Sequence, residues 1–150
     1  MKTVVALLSF LSFSLASAIT PSQLVQIVMQ KTDLYAEGSA ACDDAENTLR
    51  RITYPQNPKG LTKFIKTYKY TSDSIFGVMA KSEIERAVSS FSDLRWTGAS
   101  WNPWRTIDTI GIDELRPYMF YVEVIEPEYD EIDTIDFTSV CITVVALKSS

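Results

Sequence analysis

The chain has 150 residues, with 14 Lys+Arg, 19 Asp+Glu, two Cys and no His, and a formal net charge of −5. At 46% hydrophobic and 22% charged residues it is too apolar for a disordered chain, and its length suits one compact domain better than two. A chain without His has no Ser-His or Cys-His nucleophile pair, no imidazole ligand for zinc and no imidazole proton shuttle.

Met1 and Lys2 precede an uncharged apolar run from Thr3 to Leu15, which is followed by Ala16-Ser17-Ala18. Charge, apolar core and small residues stand in the order of a secretory signal peptide. The run is short for a bilayer span, and a buried N-terminal helix is the plain alternative. This reading divides the chain into a signal peptide, residues 1–18, and a single globular secreted domain, residues 19–150. Loss of Lys2 leaves 13 basic and 19 acidic side chains and a net charge of −6. No later segment reads as a membrane anchor, so the expected location is extracellular. Export makes a Cys42–Cys141 disulfide the default, with two free thiols as the alternative. Asn47, Asn57 and Asn102 all fail the N-glycosylation pattern.

Thr20-Pro21-Ser22-Gln23 is a capping box with Pro at the first helical position, and Leu24, Ile27, Val28 and Leu34 or Tyr35 continue at helical spacing up to Gly38. Ser39 opens a second helix whose stripe is Cys42, Ala45, Leu49 and Ile52, which places Cys42 on a buried face. Residues 54–60, rich in Pro, Asn and Gly, form a connector. From Lys63 to Thr71 the period becomes two, with Phe64, Lys66, Tyr68 and Tyr70 on one face. Ser72-Asp73-Ser74 turns the chain into a short strand, Ile75 to Ala80. A second capping box, Ser82-Glu83-Ile84-Glu85, starts a helix along Ile84, Ala87, Val88 and Phe91. Arg95 to Arg105 reads as a hairpin or loop, and Ile107 to Ile112, Tyr118 to Ile125 and Val140 to Leu147 read as strands.

This order predicts an α+β fold: N-terminal helices and one short internal helix packed on one face of a curved, mostly antiparallel sheet of five to six strands. The order of elements resembles that of the cone-shaped NTF2-like fold. The resemblance rests on that order alone and implies, as an expectation, an interior pocket able to take a small molecule.

Three features point toward binding. Arg50, Arg51, Lys59, Lys63, Lys66 and Lys69 form a basic stretch, and Glu123, Glu126, Glu128, Asp130, Glu131, Asp133 and Asp136 an acidic one. Two solvated faces of opposite sign explain them most simply; the basic strand otherwise suits an acidic partner, and nothing in it reads nucleic acid. The acidic stretch lacks the Gly and spacing of a calcium loop, so no metal is expected. The third is the aromatic segment Arg95-Trp96 to Trp104-Arg105, in which Trp96, Trp101 and Trp104 must be buried or used. Together with Tyr68 and Tyr70, and with Arg95 and Arg105 as polar grips, they are the candidate binding residues. An enzyme built from this chain would rely on carboxylates or Tyr, with Asp93 near Trp96, but no spacing singles one out and no Gly-rich phosphate loop or nucleophile elbow occurs.

The leading expectation is therefore a small secreted, non-enzymatic protein, effector-, toxin- or inhibitor-like, that binds an extracellular protein, glycan or small apolar ligand without a cofactor, nucleic acid or membrane span. An NTF2-like binding protein or isomerase/dehydratase with an aromatic pocket, and a structural or surface-coating protein, are the alternatives.

Overall fold

A computed structural model describes residues 19–36, 40–53, 62–102, 104–127 and 137–147. The leader-like residues 1–18, the connector at 54–60 and most of the acidic stretch lie outside the described residues.

The first capping box forms as written: the Thr20 N–H donates to Gln23 Oε1 at 2.8 Å and the Gln23 N–H to Thr20 Oγ1 at 3.2 Å. Helix α1, Pro21–Met29, follows and buries Leu24, Val25, Val28 and Met29. It stops well short of Leu34 and Tyr35. The Thr32 hydroxyl donates to the Met29 carbonyl at 2.7 Å, and Tyr35 exchanges two backbone hydrogen bonds with Thr71. Strand pairing therefore takes the residues that would have extended the helix. A 3-10 turn, Ala40–Asp44, leads into α2, Ala45–Thr53.

The expected strand at Ile75 to Ala80 is a helix. Helix α3 runs Gly77–Ser89 and buries Gly77, Ala80, Ile84, Ala87 and Val88, a helical period that begins five residues before the Ser82 capping box. The reason lies elsewhere in the chain. Glu126 accepts the Gly77 N–H at 2.8 Å and so caps the helix from 49 residues away. Gly77 is required there, since a Cβ would stand 2.8 Å from Glu126 Cγ.

Five strands, β1 Thr62–Thr71, β2 Arg95–Asn102, β3 Arg105–Gly111, β4 Tyr118–Ile125 and β5 Ser139–Leu147, form one open sheet in the order β1-β5-β4-β3-β2, every pair antiparallel. β2 to β5 make a meander, and β1 closes onto β5. The α+β class with a curved sheet is thus the architecture.

Registers sort the side chains into two faces. Tyr68, Ile142, Val122 and Asp108 form one cross-strand row; Lys69, Cys141, Glu123 and Ile107 form the adjacent row on the other face. On the first face the buried residues of β1, β3, β4 and β5, with Phe120 and Ile142 near the middle, join those of α1 and α3 in the main core. On the second face Cys141 and Ile125 pack with Cys42 and Ala45. The helices therefore cover both faces rather than one, because the segment carrying Cys42 must reach an odd-numbered residue of β5. The S–S bond is formed between Cys42 and Cys141, and no free cysteine remains.

β1 carries a bulge. Phe64 pairs with Val145 but Lys66 with Val144, so Ile65 is the extra residue and Phe64 moves off the face shared by Tyr68 and Tyr70. It joins the α2 side, where the Arg50 guanidinium lies 4.2 Å above its ring. No helix among the described residues is long and apolar enough to cross a membrane.

Candidate functional site

The end of the sheet where β3 starts, β4 finishes and β5 begins is held together by hydrogen bonds between distant segments. The Glu126 N–H donates to the Trp104 carbonyl at 2.9 Å while its side chain accepts from Gly77. The Thr138 N–H donates to the Ser74 carbonyl at 3.0 Å and the Ser72 N–H to the Thr138 carbonyl at 2.9 Å. Asn102 Oδ1 accepts the N–H groups of Trp104 and Arg105, which fixes the β2–β3 turn. This frame presents large apolar side chains to solvent: Trp104 is 56% exposed, Phe76 54%, Phe137 44%, and Val78 and Met79 about 60%. Scattered exposed apolar residues are ordinary, but these five lie on adjoining, mutually bonded segments, a setting in which interaction sites arise.

Phe76 makes the point locally. It is the N-cap of α3 and gives no side-chain cap hydrogen bond. Ser, Thr, Asp or Asn there would add an acceptor for the next free N–H groups, beyond the Gly77 N–H that Glu126 already serves. An exposed aromatic stands where local energetics favour a small polar residue.

The two buried acids in the sheet occupy opposite faces. Asp108, fully buried on the main-core face, is ion-paired at 3.1 Å with Lys81 of α3. It fits only beside a residue with no side chain, since a Cβ on Gly98 would stand 2.7 Å from Asp108 Oδ1. Glu123, 1% exposed, lies under α2 with no hydrogen bond to either carboxylate oxygen among the described residues. Arg105 Nη1 is 3.6 Å away and also donates to Thr48 Oγ1 at 3.3 Å, which in turn accepts from Arg51. Burial raises the Glu123 pKa; Arg105 opposes the rise, Asp44 adds to it and Arg51 opposes it. A carboxyl that keeps its proton longer when folded contributes most below its unfolded value, near 4.5, and that contribution fades as pH rises through the folded value. We therefore expect Glu123→Gln to flatten the decline in urea midpoint between acid and neutral pH. An unaltered pH slope would place the titration elsewhere.

The residues singled out from the sequence do not converge. Tyr70 lies in the main core with its phenol pKa raised by burial and then by Tyr68. Tyr68 and Trp96 are half-buried against that core. Trp104 is at the far end of the same hairpin, and the Trp101 side chain lies outside the described residues. Arg95 pairs with Gly111 and donates to the Ser92 and Leu94 carbonyls, beside an open hollow lined by Asp93, Arg116, Tyr118 and Leu147. Arg105 sits at the opposite end, turned toward Glu123. Three of the six basic-stretch residues pair with acids of the 3-10 turn and α2: Arg50 with Glu46, Arg51 with Asp44, Lys69 with Asp43.

Phe76, Val78, Met79 and Phe137 escaped the sequence reading. The signal available was the unbroken apolar run Ile75-Phe76-Gly77-Val78-Met79-Ala80, which exceeds what one helix face can bury. No protein-family model matches the chain, and no curated protein or solved structure is significantly similar to it.

Proposed function

We propose that this is a small secreted, non-enzymatic protein that binds an extracellular partner through the exposed apolar end of its sheet, centred on Phe76 and Trp104. The observation that carries the reading is Phe76: an exposed aromatic at a helix N-cap costs local stability, and binding is a use that offsets the cost. The intramolecular disulfide is compatible with an oxidising extracellular compartment, and the leader-like residues 1–18 supply the route. Aromatic residues held on a bonded frame lose little conformational freedom on association, which favours affinity.

The test is affinity capture from extracellular fluid with the wild-type protein and with Phe76→Ser/Trp104→Ala. Phe76→Ser introduces a preferred N-cap, so the variant is expected to stay folded, as circular dichroism would verify. A partner recovered by the wild type and reduced about tenfold or more with the variant supports the reading. Equal recovery removes this surface from it.

A further inference from the structure

We infer that the partner docks through a protein segment that is both apolar and basic, carrying Lys or Arg beside aliphatic residues. The inference rests on the proposed docking surface and adds the chemistry of what binds.

Met79 belongs to two surfaces at once. With Phe76 and Val78 it forms the exposed apolar start of α3. With Asp33, Asp73, Glu83 and Arg86 it lines an open hollow of about 450 Å³ between α3 and the segments that precede α3 and follow α1. Three carboxylates against one guanidinium leave the hollow net negative. None of the three carboxylates is in an ion pair among the described residues. Uncharged donors hold two of them instead: Glu83 accepts the backbone N–H of Asp33, and Asp73 accepts the Tyr35 hydroxyl at 2.9 Å. Tyr35 is itself half exposed, so an aromatic ring adjoins the carboxylates.

The surroundings of the apolar face thus define its cover. A purely apolar segment would desolvate the neighbouring carboxylates without a cation, an unfavourable exchange. A purely basic one would leave Phe76, Val78 and Met79 in water. A segment with both satisfies the patch and the hollow together, and a cation placed there also meets the face or edge of Tyr35. No group of acids among the described residues is gathered closely enough to hold a metal ion, so the spread carboxylates suit the several donors of a guanidinium or ammonium. An anionic lipid surface would be repelled by the same charges.

The probe is a short amphipathic Leu/Lys peptide, with its Leu/Glu counterpart, titrated into the ¹⁵N-labelled exported protein. Saturable shifts centred on Met79, Asp73 and Glu83 with the Leu/Lys peptide alone are expected. Asp73→Asn/Glu83→Gln should weaken that binding about tenfold or more. Glu85→Gln, which removes one negative charge from the opposite side of α3, should change it less than about twofold. Equal loss in Glu85→Gln would reveal diffuse attraction, equal binding of the Leu/Glu peptide a purely apolar surface, and binding to phosphatidylserine vesicles a lipid target; each overturns the inference. The partner captured from extracellular fluid separates the two claims. Its loss with Phe76→Ser/Trp104→Ala but not with Asp73→Asn/Glu83→Gln overturns the basic segment and leaves the docking surface. Its retention by both variants overturns both.

Discussion

Replacing Cys42 and Cys141 together by Ala is expected to lower the unfolding free energy by about 4–5 kcal/mol on the chain-entropy account, a large part of what a domain of this size possesses. The bond spans 99 positions, so its loss releases a long loop into the unfolded ensemble. Ala is the right replacement, because both half-cystines are 2% exposed or less and a hydroxyl would be left buried. Little native packing is sacrificed, since Cys42 and Cys141 share their small cluster with only Ala45 and Ile125 among the buried residues described. Equilibrium denaturation of the double variant, compared with oxidised and reduced wild type, measures the effect. A loss below about 1 kcal/mol would show that the loop is already restrained before oxidation.

Lys81→Met should be nearly as damaging. Asp108 is fully buried on the core face, whereas the Lys81 side chain is about a quarter exposed, so the lysine can reach water and the aspartate cannot. Removing the cation deprives a fully buried carboxylate of the Lys81 charge, and breaking a buried pair on one side costs about 3–5 kcal/mol. Gly98 belongs to the same arrangement, since Asp108 Oδ1 occupies the space a side chain there would need. Adding Asp108→Asn to Lys81→Met should recover most of the loss, because the amide matches the carboxylate in shape without its charge. Denaturation midpoints of the two single variants and the double variant form the cycle that checks this. If the double variant is no more stable than Lys81→Met alone, packing of the lysine stem rather than charge accounts for the loss.

The sequence was most legible where structure is decided locally. The Thr20–Gln23 box sits within one turn and forms as written. Tyr118–Ile125, dense in aromatic and branched residues, has the boundaries its composition suggests. Where the deciding group is distant, the local signal misleads. Ile75 to Ala80 has the composition of a strand, but the acceptor that starts α3 there is Glu126, on the far side of three strands in sequence. The bulge at Ile65 is likewise invisible in the alternation of β1, because it depends on how β5 meets that strand. The acidic run groups Glu123 with solvated residues, although its neighbours Val122 and Val124 are apolar and it is buried, and Asp108 carries no local signal of burial. The partner of each, Arg105 or Lys81, depends on topology. The tryptophans scatter for a simple reason: an extended strand carries Trp96 and Trp104 to opposite ends of one hairpin.

The cross-link between Cys42 and Cys141 also orders events during synthesis. One sulfur emerges early and its mate only with β5, after β1, α3 and the other three strands have been made. On the proposed export route, then, a reactive thiol travels unmated on a nascent chain, open to capture by small oxidants or by a neighbouring polypeptide. Along that route the pairing waits for the final strand, and a thiol–disulfide exchange catalyst is the class of helper that would keep the first sulfur from mispairing meanwhile.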